Sequence, residues 1–214
     1  MRKRKDFKRP EGIKSARLIV IAAEGRNTEN IYFESMKVSR CASDVHVEVL
    51  HRNSNDSSPD KVYEQIRGFM AEYNIEDDDQ LWIVVDKDKW KDKMLSSVAQ
   101  HCAQNNNLYF CVSNPCFELW LLLHIEDVTL YNKEQMVILS TNSKVNSQDT
   151  WLKKHMKDLT GHYRESDYDA MSLSPHIDTA IERAEKLDLV PTDRWPQTAG
   201  TRVYLLAKSI MGNR

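Results

Sequence analysis

The chain predicts an α/β fold: a parallel sheet of about four strands flanked by helices, continued by a helical C-terminal extension. Three observations carry that prediction. Apolar runs of strand length recur at Arg17–Ala23, 45–51, 81–85 and 108–112. Segments with apolar residues at helical spacing separate them. Strands joined each time through a helix pair in parallel and place helices on both faces.

Arg17–Ala23, RLIVIAA, reads as a strand buried on both sides, and Glu24-Gly25 stops it ahead of a helix over Thr28–Ser39. Thr28 is the expected N-cap and Glu29 a first-turn carboxylate. Residues 45–51 alternate as a second strand. The turn cluster NSNDSSPD at 53–60 ends near Pro59, a suitable first helical residue, and 61–73 follow as a helix. Asp77, Asp78 and Asp79 read as a solvated loop before the strand 81–85. Met94, Leu95, Val98 and Cys102 define a helix over 91–104, and the polar run at 104–107 leads into the strand 108–112. SNPCFELWLLLH at 113–124 predicts a helix with Asn114 as cap and Pro115 at its first position. Helices over 133–139, 151–159, 174–187 and 201–211 complete the chain, with no internal repeat. This divides it into a basic, flexible arm (1–14), an α/β domain (15–125) and a helical extension packed on the sheet (126–214).

At 214 residues, 41% apolar and 29% charged, the chain suffices for one substantial domain. No run of eighteen apolar residues exists, and the basic start is not followed by a secretion signal's apolar segment, so the expected setting is cytoplasmic, without membrane contact. A net charge of −2 argues against a nonspecific coat for nucleic acid. Arg2, Lys3, Arg4, Lys5, Lys8 and Arg9 form an arm that either touches a phosphate backbone or is simply solvated. Cys41, Cys102, Cys111 and Cys116 lack zinc spacing and are expected to be reduced thiols.

The chemistry concentrates where apolar runs stop. Glu24 closes the first strand, and the run QLWIVVDKDK at 80–89 ends in Asp86 and Asp88. Period-two alternation puts both aspartates on one side. In such sheets ligands gather at the carboxyl ends of strands, so the three carboxylates form a site for Mg²⁺ or Mn²⁺. Glu118 either completes this cluster or is a helix-start carboxylate. Arg26 and Thr28 stand where a phosphate binds, Lys87, Lys89, Lys91 and Lys93 surround the aspartates, and Trp90 is the tryptophan placed to stack on a base. His124 is expected in the core with one hydrogen bond, and Trp82 and Trp120 are expected in the core rather than as stacking platforms. A P-loop is absent, and the D-x-D on the third strand does not match haloacid-dehalogenase phosphatases or receiver domains.

A glutamate ending strand one with D-x-D ending strand three is the pattern of the Toprim domain. EGRNTENIYF at 24–33, VVDKDKW at 84–90 and SNPCFELWLLLH at 113–124 together resemble the RloB-like (AbiLii-like) family, a Toprim-related group from bacterial restriction and abortive-infection loci. The match covers about residues 15–212. WPQTAGTRVYLL at 195–206, with Thr201 and Arg202, departs from the family's Asn-Pro-Ser-Thr-like turn.

The resemblance implies a Toprim-like fold and a metal-dependent nuclease of DNA or RNA, tRNA included, acting in antiphage defence beside an ATPase partner. It implies Asp86 and Asp88 as Mg²⁺ ligands and Glu24 as ligand or general acid/base, with Asn114 in the most specific block joining the substrate contacts. Two alternatives stay open: a catalytically silent effector or regulatory subunit that senses a phage component, and a metal enzyme acting on a small phosphate ester. A homo-oligomer is compatible with either.

Overall fold

The computed structural model describes residues 4–8, 16–52, 56–88 and 90–212. A five-stranded sheet forms its centre, in the order β2-β1-β3-β4-β5: β1 Arg17–Ala23, β2 Val45–Leu50, β3 Gln80–Asp86, β4 Leu108–Asn114 and β5 Gly200–Thr201. The first four are parallel, and β5 pairs antiparallel with the end of β4 through Ser113 and Thr201. The crossovers are α1 Thr28–Ser39, α2 Pro59–Glu72 and α3 Asp92–Ala103.

Strand alternation sorts the apolar residues into two cores. Leu18, Val20 and Ala22 of β1 join Leu81, Ile83 and Val85 of β3 against Val62 and Ile66 of α2 and Leu95 and Val98 of α3. The intervening residues, Ile19, Ile21, Ala23, Trp82 and Val84, face Phe33 and Met36 of α1 and the apolar run 119–123 of α4, Glu118–Ile125. The same core takes in α6 Trp151–Thr160, α7 Ile177–Leu187 and α8 Val203–Ile210, while α5 Lys133–Thr141 contributes Leu139. The helical half thus shares one apolar core with the sheet.

The structure corrects several local expectations. Thr28 is the first helical residue, with Asn27 at the cap position, and its Oγ1 donates instead to the Glu165 carbonyl at 3.2 Å. Asn114 ends β4 rather than capping a helix; its Nδ2 donates to the Pro196 carbonyl at 3.0 Å, and α4 begins only at Glu118. The predicted helix over 201–211 starts with a strand residue, because Thr201 Oγ1 meets Ser113 Oγ at 2.8 Å and β5 pairs with β4. The one over 174–187 begins as a 3₁₀ turn, Met171–His176. Asp79 is not solvated: it is buried and accepts from the Leu18 and Glu76 amides at 2.9 Å each. His124 is in the core with two bonds, to the Trp120 carbonyl at 2.9 Å and Tyr32 Oη at 3.1 Å, and burial pushes its pKa down to about 4.

Part of the basic arm also has a place. Lys5 bridges to Tyr73 and Phe7 packs its ring on Phe69 and Tyr73. Arg2, Lys3 and Arg9 lie outside the described residues. All four cysteines are free thiols. Among the described residues no helix is long and apolar enough to cross a membrane.

Candidate active site

Parallel strands bring their carboxyl ends to one edge of the sheet, and a cleft of about 500 Å³ opens there. Glu24, Asp86, Asp88 and Glu118 all line it, as do Arg26 and Thr28. The four carboxylates expected from sequence therefore converge. Asp86 is the last residue of β3, so strand alternation does not reach Asp88; a turn exposes Asp88 at the rim, its amide donating to the Pro115 carbonyl at 3.1 Å.

Glu24 is buried beside Asp86. Its Oε2 accepts from the Asp86 amide at 3.1 Å and from the Trp90 indole at 2.8 Å. Trp90, expected as a base-stacking platform, has its polar edge on Glu24. Arg52, unmarked by any motif, donates to the Glu24 main-chain carbonyl. Asn114 does not line the cleft, being held by Pro196. The Lys87 amide donates to the Ser113 carbonyl at 2.9 Å, and Lys87 is not among the cleft-lining residues. Lys89 lies outside the described residues.

Sequence reasoning missed Glu29, which lines the cleft beside these four, as well as Asp149 and Glu165, which line it from the helical half. Local pattern makes Glu29 a first-turn residue favoured by the exposed amides, and its Oε1 does accept from the Gly25 amide at 2.9 Å. Yet it is 3% exposed and faces its acidic neighbours. Gly25 is required by this packing. A Cβ there would lie 1.7 Å from Glu29 Oε2, so the missing side chain is the space the carboxylate occupies. The signal was available in E-G-x-x-x-E, a glycine directly after one glutamate and four before the next. Lys153 and Lys144 also line the cleft from the helical half, without any local signature.

Crowding raises the acids. Burial, followed by the Glu118 and Glu24 charges, lifts Glu29 to about 7. Burial, then the charges of Glu29, Glu24, Glu118 and Asp88, holds Asp86 well above the usual carboxylate range. Burial also pushes the Cys116 thiol up, reinforced by Glu118 and Asp86, so it is no nucleophile at neutral pH. Glu118 accepts from Tyr163 Oη at 3.2 Å. Carboxylate oxygens that repel one another around a polar cleft are the donor chemistry of a hard divalent cation. Among the described residues no three His, Cys, Asp or Glu side chains stand as a ready-made metal group. Glu24 and Glu29 each have one oxygen engaged by nearby N–H donors.

Fold and site thus define an α/β protein with a carboxylate-lined cleft at the carboxyl edge of a largely parallel sheet. The RloB-like protein family model matches residues 19–210, and the chain belongs to that family. Comparisons with curated proteins and with solved structures found no match.

Proposed function

We propose that the chain is a Toprim-type, Mg²⁺- or Mn²⁺-dependent nuclease of bacterial antiphage defence, working in the cytoplasm with an ATPase partner. The observation that carries this reading is the convergence of Glu24, Glu29, Asp86, Asp88 and Glu118 on one open cleft. Asp86, Asp88 and Glu118 are the residues that would hold the metal, with Glu24 as a further ligand. A bound divalent ion would supply charge to offset that developing on the phosphodiester. Glu29, poised near neutrality, suits the transfer of a proton to or from an attacking or leaving oxygen, a role not assigned to it from sequence. Arg26 at the mouth suits phosphate contact.

The test is cleavage of labelled single-stranded DNA, double-stranded DNA and tRNA with Mg²⁺ or Mn²⁺. Asp86→Asn and Glu24→Gln are expected to lower the rate at least about 100-fold. Cleavage that survives both substitutions in folded protein rejects the site.

One observation favours a second reading, a regulatory subunit silent on its own. Glu24 is held by Trp90 and the Asp86 amide rather than presented to a ligand. Activity appearing only in a co-purified complex with the ATPase supports it, and full activity of the isolated chain removes it.

A further inference from the structure

The two walls of the cleft carry different chemistry. The sheet edge presents carboxylates crowded against one another, whereas the helical half answers its own two, Asp149 and Glu165, with Lys157 and Lys153 and adds Lys144, Lys153 standing in the first turn of α6. The Lys153 side chain is 24% exposed, and its ammonium pairs with Glu165. Burial alone would lower its pKa, but the bond to Glu165 and the nearby Glu118 charge hold it above the usual lysine value. Lys153 is therefore a partly desolvated, permanent cation within electrostatic reach of the acidic wall. A partly dehydrated ammonium gains more from a phosphate than a solvated surface lysine does.

The walls are tied together. Tyr163 Oη donates to Glu118 Oε1 at 3.2 Å, Tyr168 Oη to the Thr28 carbonyl at 2.8 Å, and Thr28 Oγ1 to the Glu165 carbonyl at 3.2 Å. Tyr163 is 2% exposed, so its bond to Glu118 lies in the core, and the other two are half-buried. A tied cleft of about 500 Å³ has the size of a site for a compact ligand. Base-paired duplex keeps its bases stacked inside and offers a compact cleft only its outer backbone and groove edges. An unpaired strand can splay its nucleotides into such a cleft.

We propose that this cleft takes a single nucleic-acid strand and that Lys153 binds a backbone phosphate of that strand from the helical wall, exchanging Glu165 for the phosphate. The inference rests on the nuclease reading and adds to it the form of the substrate and a binding residue outside the carboxylate cluster.

The experiment is fluorescence anisotropy with the full chain and labelled DNA and RNA of one sequence, single-stranded and duplex, with Ca²⁺ in place of Mg²⁺. Single strands are expected to bind more tightly than duplex. Lys153→Ala is expected to weaken single-strand binding about tenfold and to make the log–log salt slope shallower by about 1. Lys153→Arg retains binding, and Glu165→Gln leaves it unchanged or tightens it, since a competing carboxylate is gone. Equal binding of duplex, no effect of Lys153→Ala, or equal weakening by Lys153→Ala and Glu165→Gln overturns the proposal, the last because it shows the ion pair acting only as a structural tie. The two readings separate cleanly. Strand binding of the expected form without Mg²⁺-dependent cleavage leaves this proposal standing and removes the nuclease, while cleavage unaffected by Lys153→Ala does the reverse.

Discussion

Two clusters of buried charge among the described residues are built in opposite ways. At the end of the helical half, Arg202 and Asp188, 7% and 5% exposed, meet through bonds of 3.0 and 3.2 Å. Tyr204 Oη adds a third bond to Asp188 at 3.0 Å, and Arg202 also donates to the Asp193 and Val190 carbonyls. In the cleft, Glu24, Glu29 and Glu118 are as deeply buried, yet their neighbours are largely other acids. A buried charge that is fully answered belongs to the architecture, here locking β5 and the 188–202 segment against β4. One surrounded by its own sign raises the energy of the folded state and is retained for what it binds.

This contrast can be broken first at Arg202. Arg202→Ala leaves Asp188 buried without its cation, and chemical denaturation is expected to show a loss of about 3–5 kcal/mol. A change below 1 kcal/mol would erase the distinction between the two centres.

The cleft should respond to pH with the other sign. Glu29 has a folded pKa near 7 against an ordinary value of 4.5, so the folded protein holds its proton where the unfolded chain has released it. The stability it contributes is complete below pH 4.5 and is lost as the pH rises toward 7, by up to about 3 kcal/mol in the metal-free protein. Glu29→Gln is expected to flatten that part of the pH–stability curve. Mg²⁺ is expected to raise the melting temperature more at pH 8 than at pH 5.5, because protons and cation compete for the same carboxylates. Identical pH curves for wild type and Glu29→Gln would show that the crowding is without consequence.

The smallest effect sharpens the comparison within the cleft. Trp90→Phe removes the indole N–H from Glu24 Oε2 and is expected to cost about 1 kcal/mol in stability. A larger change in Mn²⁺ affinity, read by isothermal titration, than in stability would identify Trp90 as the residue that orients Glu24.

Much of this was legible before folding. The runs at Arg17–Ala23 and Gln80–Asp86 announced buried parallel strands because both of their faces are covered, and the carboxylates closing them announced the edge where a ligand binds. Asn114 and Thr28 depart from the expected cap role because a cap residue is recognised by local pattern, whereas their polar atoms are satisfied by Pro196 and Glu165, distant along the chain. Glu29 falls on the expected element but for more than a local reason, since its pKa is raised by burial and by the charges of Glu118 on α4 and Glu24 just after β1.

The amino-acid sequence by itself determined the strand-helix alternation, the two-faced core and the acidic edge, because each follows from periodicity over a few neighbouring residues. Tertiary structure alone decided that Glu29 joins Glu24, Asp86, Asp88 and Glu118, that Asp188 finds Arg202, and that Lys153 faces the acidic wall. Burial and charge act through space, so residues distant in sequence acquire their chemistry only once packing has made them neighbours.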